Sequence, residues 1–178
     1  MKENIKEQFY EYVGPANSLA GYTRSYKLVL YKALFSLIDK DGKVPVSAIV
    51  GYFIDFYKQR YDTGLITDKD VVDCIENINT CTYEQALRVI RVNPYKHIHE
   101  AGFLYIQKIG DEDFFVIPAD LIQSLSSSEI SQLLLLFDIK LNLYYERIND
   151  GSANSIDTSR DQWKEIVAIE QGIIKRGQ

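Results

Sequence analysis

Residues 23–61 read TRSYKLVLYKALFSLIDKDGKVPVSAIVGYFIDFYKQRY and carry the strongest structural signals in the chain. Apolar residues recur over 30–38 with the i, i+3, i+4, i+7 spacing of a helix that has one apolar face. The Asp-Gly pair at 41–42 predicts a turn, because glycine adopts positive φ without steric cost. The segment 44–46 predicts a short strand, and Ser47 is expected to cap a second, largely apolar helix.

Further helices are expected on both sides of this stretch. Helical periodicity predicts them at 2–13, 67–77, 83–92, 94–99 and 129–147. Thr67 is expected to cap the second of these, and Thr82 followed by Gln85 has the spacing of a capping box. We expect Asn93-Pro94 to interrupt the helix that begins at 83, since proline has no backbone N–H to donate.

A β-hairpin is predicted after these helices. The β-prone runs 103–106 and 114–117 flank a turn at 110–113. If the strand 44–46 joins this hairpin, the order helix, strand, helix, helix, hairpin is that of a winged helix. The expected fold is therefore mainly α (α+β): a winged-helix-like helical domain with a small hairpin as the wing and a helix at the C-terminus.

The same patterns divide the chain into a domain, a linker and a terminal helix. We expect the winged-helix-like domain over 1–148, a Gly/Ser/Asn-rich linker over 149–157 and the C-terminal helix over 158–178. Within the domain, Leu135 lies off the apolar face of the helix 129–147. This surplus of leucine indicates either burial on more than one side or a partner surface.

The charge distribution limits the classes of partner. The net charge is −5, which argues against non-specific coating of nucleic acid because such binding needs a basic surface. Residues 1–60 carry +3 by count, however, so a local basic face remains compatible with the sequence. The simpler interpretation is an ordinary solvated surface.

The segment 83–99 is the candidate for contact with double-stranded DNA, because the helix before the wing enters the major groove in many winged helices. Arg88 and Arg91 are three residues apart and share a helix face. The predicted DNA contacts are Arg24, Lys27, Arg88, Arg91, Lys96 and Lys108. The acidic run at 111–113 would repel phosphate, so DNA must avoid the tip of the wing.

The run GYTRSYKLVLYKALFSLIDKDGKVPVSAIVGYFIDFYKQRYDTGL, with the later NPYKHIHEAGFLYI and LNLYYERI, resembles a domain of prokaryotic restriction and phage-defence proteins. The resemblance covers about residues 20–148. It rests on Ser25-Tyr26-Lys27, on the helix end at 57–60 and on Asn93-Pro94. In those proteins the domain is attached to a helicase or nuclease module, and no such module is found in this sequence. The resemblance therefore implies an accessory subunit that works beside a helicase or nuclease subunit.

Two cysteines and two histidines are the candidate metal ligands. Cys74, Cys81, His97 and His99 have a C-x6-C and H-x-H spacing that departs from zinc-finger pairs, so we expect no metal. The first residues lack the apolar core of a secretory signal, so we expect a cytoplasmic location. In that compartment we expect the cysteines to be reduced.

No catalytic signature is present in the sequence, which contains no P-loop, no G-x-G-x-x-G and no G-x-S-x-G. We therefore expect a non-enzymatic protein without a cofactor and without a membrane-spanning segment. The alternative to DNA binding is a protein–protein adaptor or oligomerisation module, such as a homodimer formed through the leucines near Leu135. An enzyme with an unrecognised site is a third hypothesis.

Overall fold

Helices supply most of the backbone of the computed structural model, which describes residues 4–69 and 73–150. The α-helices are α1 (Ile5–Val13), α2 (Tyr26–Leu37), α3 (Val46–Asp62), α4 (Tyr83–Ile90), α5 (Lys96–Glu100), α6 (Ala119–Ser124) and α7 (Ser127–Asn149). The strands are β1 (Lys43–Pro45), β2 (Tyr105–Ile109) and β3 (Glu112–Val116), and they form one antiparallel sheet in the order β1-β3-β2. The prediction of a mainly helical α+β fold is confirmed.

Helix α2 lies at the centre of the core and packs against α3 and α7. It is apolar on most of its circumference, which is typical of a helix covered on several sides. Aromatic rings fill the space around it: Tyr31 stacks on Phe137 of α7 with ring centroids 5.0 Å apart, and Phe9 of α1 meets Tyr31 edge-on. All three side chains are almost completely buried. The aromatic-rich composition thus supplies the packing between helices.

The turn between α2 and β1 forms as the Asp-Gly pair predicts. Gly42 has a φ of +78°, and a Cβ there would lie 3.1 Å from the carbonyl oxygen of Ile117. The Ile117 amide donates to the Gly42 carbonyl at 2.9 Å, and β1 pairs with β3 next to this bond. The predicted third strand is confirmed. The predicted Ser47 cap is wrong, because α3 begins at Val46 and Pro45 occupies the N-cap position.

The hairpin has a tighter loop than the predicted turn over 110–113. Ile109 pairs with Glu112, which leaves Gly110 and Asp111 as a two-residue loop. Gly110 has a φ of +63°, as such loops require. The strands therefore extend closer to the tip than the β-prone runs indicated.

The predicted helix over 67–77 is wrong. Its described residues form turns, and the only regular turn nearby is the 3₁₀ segment Ile78–Thr80. Polar side chains take the backbone groups that a helix would use: the Asp73 carboxylate accepts from the Ile75 amide, and the Thr67 carbonyl accepts from the Tyr145 hydroxyl. Residues 70–72 of this predicted helix, including Val71 and Val72, lie outside the described residues.

The same segment corrects the expectation of reduced cysteines. Cys74 and Cys81 form a disulfide, with Cα atoms 5.0 Å apart. The chain reverses through the 3₁₀ segment Ile78–Thr80, which brings the two Cα atoms within the separation that a disulfide spans. Sequence spacing alone did not indicate this reversal, because a helix was expected there.

Asn93-Pro94 interrupts the α-helix that begins at Tyr83, as predicted, because α4 ends at Ile90, but the backbone stays helical. The predicted capping box of Thr82 and Gln85 is confirmed. After α4, a π-helical turn over Arg91–Tyr95 leads directly into α5. A π-helical turn is wider than an α-helical one and gives the ring of Pro94 room against the preceding turn. The result is one helical rod with a wide turn in its middle, called here the α4–α5 rod.

Helix α7 is longer than predicted and begins with a capping box formed by Ser126 and Glu129. Its buried Lys140 donates to the backbone carbonyls of Pro15 and Ser18, and so attaches the segment after α1 to the core. The predicted linker 149–157 starts at the end of this helix, and the predicted helix 158–178 lies outside the described residues. None of the described helices is long and apolar enough to cross a membrane.

Candidate nucleic-acid interface

Four of the six predicted DNA-contacting cations are exposed on the α4–α5 rod and on β2. Arg88, Arg91 and Lys96 belong to the rod, and Lys108 belongs to the hairpin. Arg88 and Arg91 are neighbours on a helix surface at i, i+3. Lys96 follows Arg91 by five residues, which is about one turn of a π helix.

One ion pair shows that the cations of the rod and the hairpin face each other. Lys108 and Asp113 are directly opposite in the β2–β3 pairing, so their side chains project from the same face of the hairpin. The Asp113 carboxylate lies 3.7 Å from the Arg91 guanidinium. The hairpin face that carries Lys108 is therefore the face turned toward the rod. We call Arg88, Arg91, Lys96 and Lys108 the basic face.

The Arg91–Asp113 pair is weak. Its two side chains are 45% and 44% exposed, and exposed pairs of this kind typically contribute about 0–1 kcal/mol. The pair nevertheless places a negative charge inside the basic face. Asp111 and Glu112 add two exposed carboxylates at the hairpin tip. The rod carries the three exposed cations together with the exposed carboxylates Glu84 and Glu100, whereas the exposed charges of the hairpin tip are negative.

The other two predicted contacts lie in more enclosed surroundings. The Lys27 ammonium is 5.0 Å from the ring centroid of Tyr12 and 4.9 Å from that of Tyr22, and burial lowers the pKa of Lys27. Arg24 is half-buried, and one of its terminal nitrogens is buried without a hydrogen-bond partner among the described residues. Neither side chain belongs to the exposed set on the rod.

The structure does not assemble the four candidate zinc ligands. Cys74 and Cys81 are bonded to each other. His99 stacks on Tyr95, and its Nδ1 lies 2.8 Å from the Leu104 carbonyl oxygen. Within residues 4–69 and 73–150, no three His, Cys, Asp or Glu side chains are close enough together to hold a metal ion.

A buried hydrogen-bond cluster around Asp68 was not predicted from the sequence. Its carboxylate, 5% exposed as a residue, accepts from the amide and the hydroxyl of Ser25 and from the Tyr144 hydroxyl. The Ser25 hydroxyl also bonds the Tyr57 hydroxyl at 2.6 Å, and burial raises the pKa of Tyr57 well above its usual value. Helical periodicity placed Tyr57 and Tyr144 on apolar faces, which gave no sign of a polar partner.

A cavity of about 600 Å³ opens beside the rod. Its wall includes Arg88 and Val92 from the rod, Asp73 and Asn77 from the disulfide-bonded segment, and Tyr26 from α2. This volume lies within the range of small-molecule sites, about 300–1,000 Å³. Arg88 thus belongs both to the basic face and to the wall of this cavity.

The guanidinium groups of the basic face have the donor geometry that pairs with phosphate oxygens or with the edge of guanine. The arrangement is therefore suited to holding a polyanion along the rod. Comparison of the chain with protein-family models, with curated proteins and with solved structures found no match to any of them.

Proposed function

We propose that this chain is a non-enzymatic, winged-helix-like accessory subunit that binds double-stranded DNA through the α4–α5 rod. The observation that carries the proposal is the basic face: three exposed cations on one rod, with Lys108 on the hairpin turned toward it. In this function the rod enters the major groove, and the hairpin lies beside it as the wing.

The topology supports the winged-helix part of this proposal. The strand that precedes α3 pairs with the second strand of the hairpin, which gives the order β1-β3-β2 and places the hairpin directly after the rod. This matches the arrangement expected from the sequence order of helix, strand, helix, helix and hairpin.

The proposed biological setting is a prokaryotic restriction or anti-phage defence assembly in the cytoplasm. It rests on the resemblance over about residues 20–148, and its protein partner would be a helicase or nuclease subunit. The Cys74–Cys81 disulfide does not itself favour this location, since stable disulfides are typical of oxidising compartments. The proposed location follows from the DNA-binding role.

The acidic hairpin tip determines how DNA would approach. Asp111 and Glu112 are exposed at the tip, where they would repel a phosphate backbone. The exposed cations of the rod lie outside this tip. In the proposed mode DNA contacts the rod, and the acidic tip stays away from the phosphate backbone.

Charge reversal of Arg88 and Arg91 tests the proposal. We expect the double variant Arg88→Glu/Arg91→Glu to lose measurable binding to a double-stranded oligonucleotide in a fluorescence anisotropy titration at stated salt. The control is Lys40→Glu/Arg147→Glu, which makes the same change in net charge at two exposed positions in the α2–β1 turn and on α7. Equal binding by the two double variants would refute the proposal.

A salt titration tests the same proposal independently. If all four cations of the basic face contact phosphate, log K should fall with log [salt] with a slope of about −3 to −4. Each single neutralisation within the basic face should make this slope less steep by about one. A slope near zero would show that the binding is not electrostatic and would exclude the proposed mode.

One observation favours a second candidate function, a protein–protein adaptor or homodimer. Leu135 on α7 is 42% exposed, although the same helix buries Leu133 and Leu136. We infer that this exposed leucine belongs to a partner surface on α7. Light scattering of the wild-type chain and of Leu135→Glu would test it: a dimer that becomes monomeric in the variant would support this function.

A further inference from the structure

The cavity beside the α4–α5 rod has side chains of opposite charge in its wall. Arg88 comes from α4, whereas Asp73 comes from the segment that the Cys74–Cys81 disulfide closes. Both side chains line the cavity. Within residues 4–69 and 73–150, the ion pairs join other residues, so Arg88 and Asp73 do not pair with each other across it.

Asp73 is held in place from the protein side. Its Oδ2 accepts from the Tyr26 hydroxyl at 2.7 Å, and its Oδ1 accepts from the Ile75 amide at 2.9 Å. Each carboxylate oxygen has two lone pairs, so both keep an acceptor site that these bonds do not use. The carboxylate is thus oriented before any ligand arrives, which reduces the entropy cost of binding.

The remainder of the wall combines amide groups with apolar surface. Asn77 and Asn93 contribute amides, which can both donate to and accept from a peptide group. Val89 and Val92 contribute methyl groups from the rod. Apolar surface with a few convergent polar groups is the usual composition of a small-molecule site.

We propose that this cavity binds a short peptide with free termini, whose carboxylate pairs with Arg88 and whose ammonium pairs with Asp73. A zwitterion offers a partner of opposite charge to each of these two side chains, and hydrogen bonds between charged groups are the stronger ones. The volume of about 600 Å³ exceeds the needs of a single small amino acid and suits a ligand of a few residues.

A series of alanine peptides tests the proposal. Unmodified di-, tri- and tetra-alanine would be titrated into the full chain without reductant, and chemical shifts of the backbone amides would be followed by NMR. We expect one length to bind best and to shift the resonances of Asn77, Val89 and Asn93. Acetylation of the amino terminus or amidation of the carboxyl terminus should each weaken binding about tenfold or more, as expected for the loss of a charged hydrogen bond.

Two variants assign each terminus to its partner. In Asp73→Asn the remaining oxygen can accept from the Ile75 amide while the side-chain NH2 donates to the Tyr26 hydroxyl. This variant should weaken binding of the free peptide and leave binding of the acetylated peptide unchanged. Arg88→Gln should weaken binding of the free peptide and leave binding of the amidated peptide unchanged. Asp111→Asn and Arg147→Gln, at exposed positions outside the cavity wall, should bind all peptides like the wild type. Equal binding of free and blocked peptides, or shifts confined to other residues, would overturn the proposal.

This inference is independent of DNA binding. Asp73 is not part of the basic face, so Asp73→Asn should leave the anisotropy titration with DNA unchanged. Loss of peptide binding in that variant with normal DNA binding would support the peptide site alone. If Arg88→Glu/Arg91→Glu bound DNA as well as its control variant, the DNA-binding proposal would be refuted. The peptide-binding result obtained with Asp73→Asn would still stand.

Discussion

The carboxylate of Asp68 accepts hydrogen bonds from both the backbone amide and the hydroxyl of Ser25, which lies 43 positions earlier in the chain. Ser25 occupies the N-cap position of α2. A carboxylate beside the first turn of a helix satisfies an amide that has no partner within the helix and interacts favourably with the helix dipole. The loop after α3 is thereby fixed to the start of the central helix.

Removal of this carboxylate should strongly destabilise the protein. In Asp68→Ala, the buried donors of Ser25 and Tyr144 lose their acceptor, and each unsatisfied buried group costs about 1–3 kcal/mol. We expect the free energy of unfolding to fall by roughly 3 kcal/mol, measured by urea denaturation. Asp55→Ala, at an exposed position on α3, should change it by less than about 0.5 kcal/mol. Similar values for the two variants would show that the cluster adds no stability.

The disulfide should contribute measurably to stability although it closes a short loop. Cys74 and Cys81 are seven positions apart, and the chain-entropy model gives about 2.5 kcal/mol for a loop of this length. We expect the free energy of unfolding to fall by about this amount when both cysteines are replaced by serine. Thiol titration of the untreated, denatured chain should find no free thiol. Two titratable thiols would contradict the disulfide directly.

Buried tyrosines should make stability depend on pH in the alkaline range. Burial raises the pKa of Tyr57, and burial together with the hydrogen bond to Asp68 raises that of Tyr144. The unfolded chain releases these protons near pH 10, before the folded chain does. The stabilisation is therefore complete below about pH 10 and is lost as the pH rises toward the higher folded values.

The measurement for this prediction is a stopped-flow pH jump followed by near-ultraviolet absorbance of tyrosinate. Tyr57 and Tyr144, whose pKa values burial raises, should ionise with the rate of unfolding. Immediate ionisation of all thirteen tyrosines would disprove the predicted protection.

Neutralisation of Asp113 should strengthen DNA binding. The carboxylate lies 3.7 Å from Arg91 and competes with phosphate for that guanidinium. Asp113→Asn removes this competition, so we expect a lower Kd in the anisotropy titration. Asp111→Asn makes the same change in charge on the same hairpin, but at the loop rather than opposite Lys108. A larger effect at Asp113 would identify release of Arg91 as the cause, and equal effects would attribute the gain to net charge alone.

Local patterns predicted the elements whose signals lie within a few residues of each other. The Asp-Gly turn, the capping box at Thr82 and the third strand of the sheet are all of this kind. The segment after α3 could not be predicted in the same way. Its conformation depends on the contact between Asp68 and Ser25 and on the chain reversal that the Cys74–Cys81 disulfide closes. Helical periodicity within one segment gives no information about either contact.

The role of the six predicted cations stays a prediction, and the structure shows which of them are exposed. Arg88, Arg91, Lys96 and Lys108 are exposed, and the pairing of Lys108 with Asp113 brings the hairpin into the same site. The enclosure of Lys27 by two tyrosine rings could not be predicted, since one of those rings belongs to α1. The cavity was missed because its wall combines α2, the disulfide-bonded segment and the rod, and no sequence pattern indicated that these three meet.

The wide turn at Arg91–Tyr95 has a consequence for how the rod presents its cations. Each residue of an α-helix advances the chain by about 100° around the axis and 1.5 Å along it. Deletion of the exposed Val92 together with Pro94→Ala would allow an ordinary α-helix to form through this region. Lys96 would then rotate by about a quarter of a circle relative to Arg88, so the phase between the two halves of the rod is set by a single inserted residue.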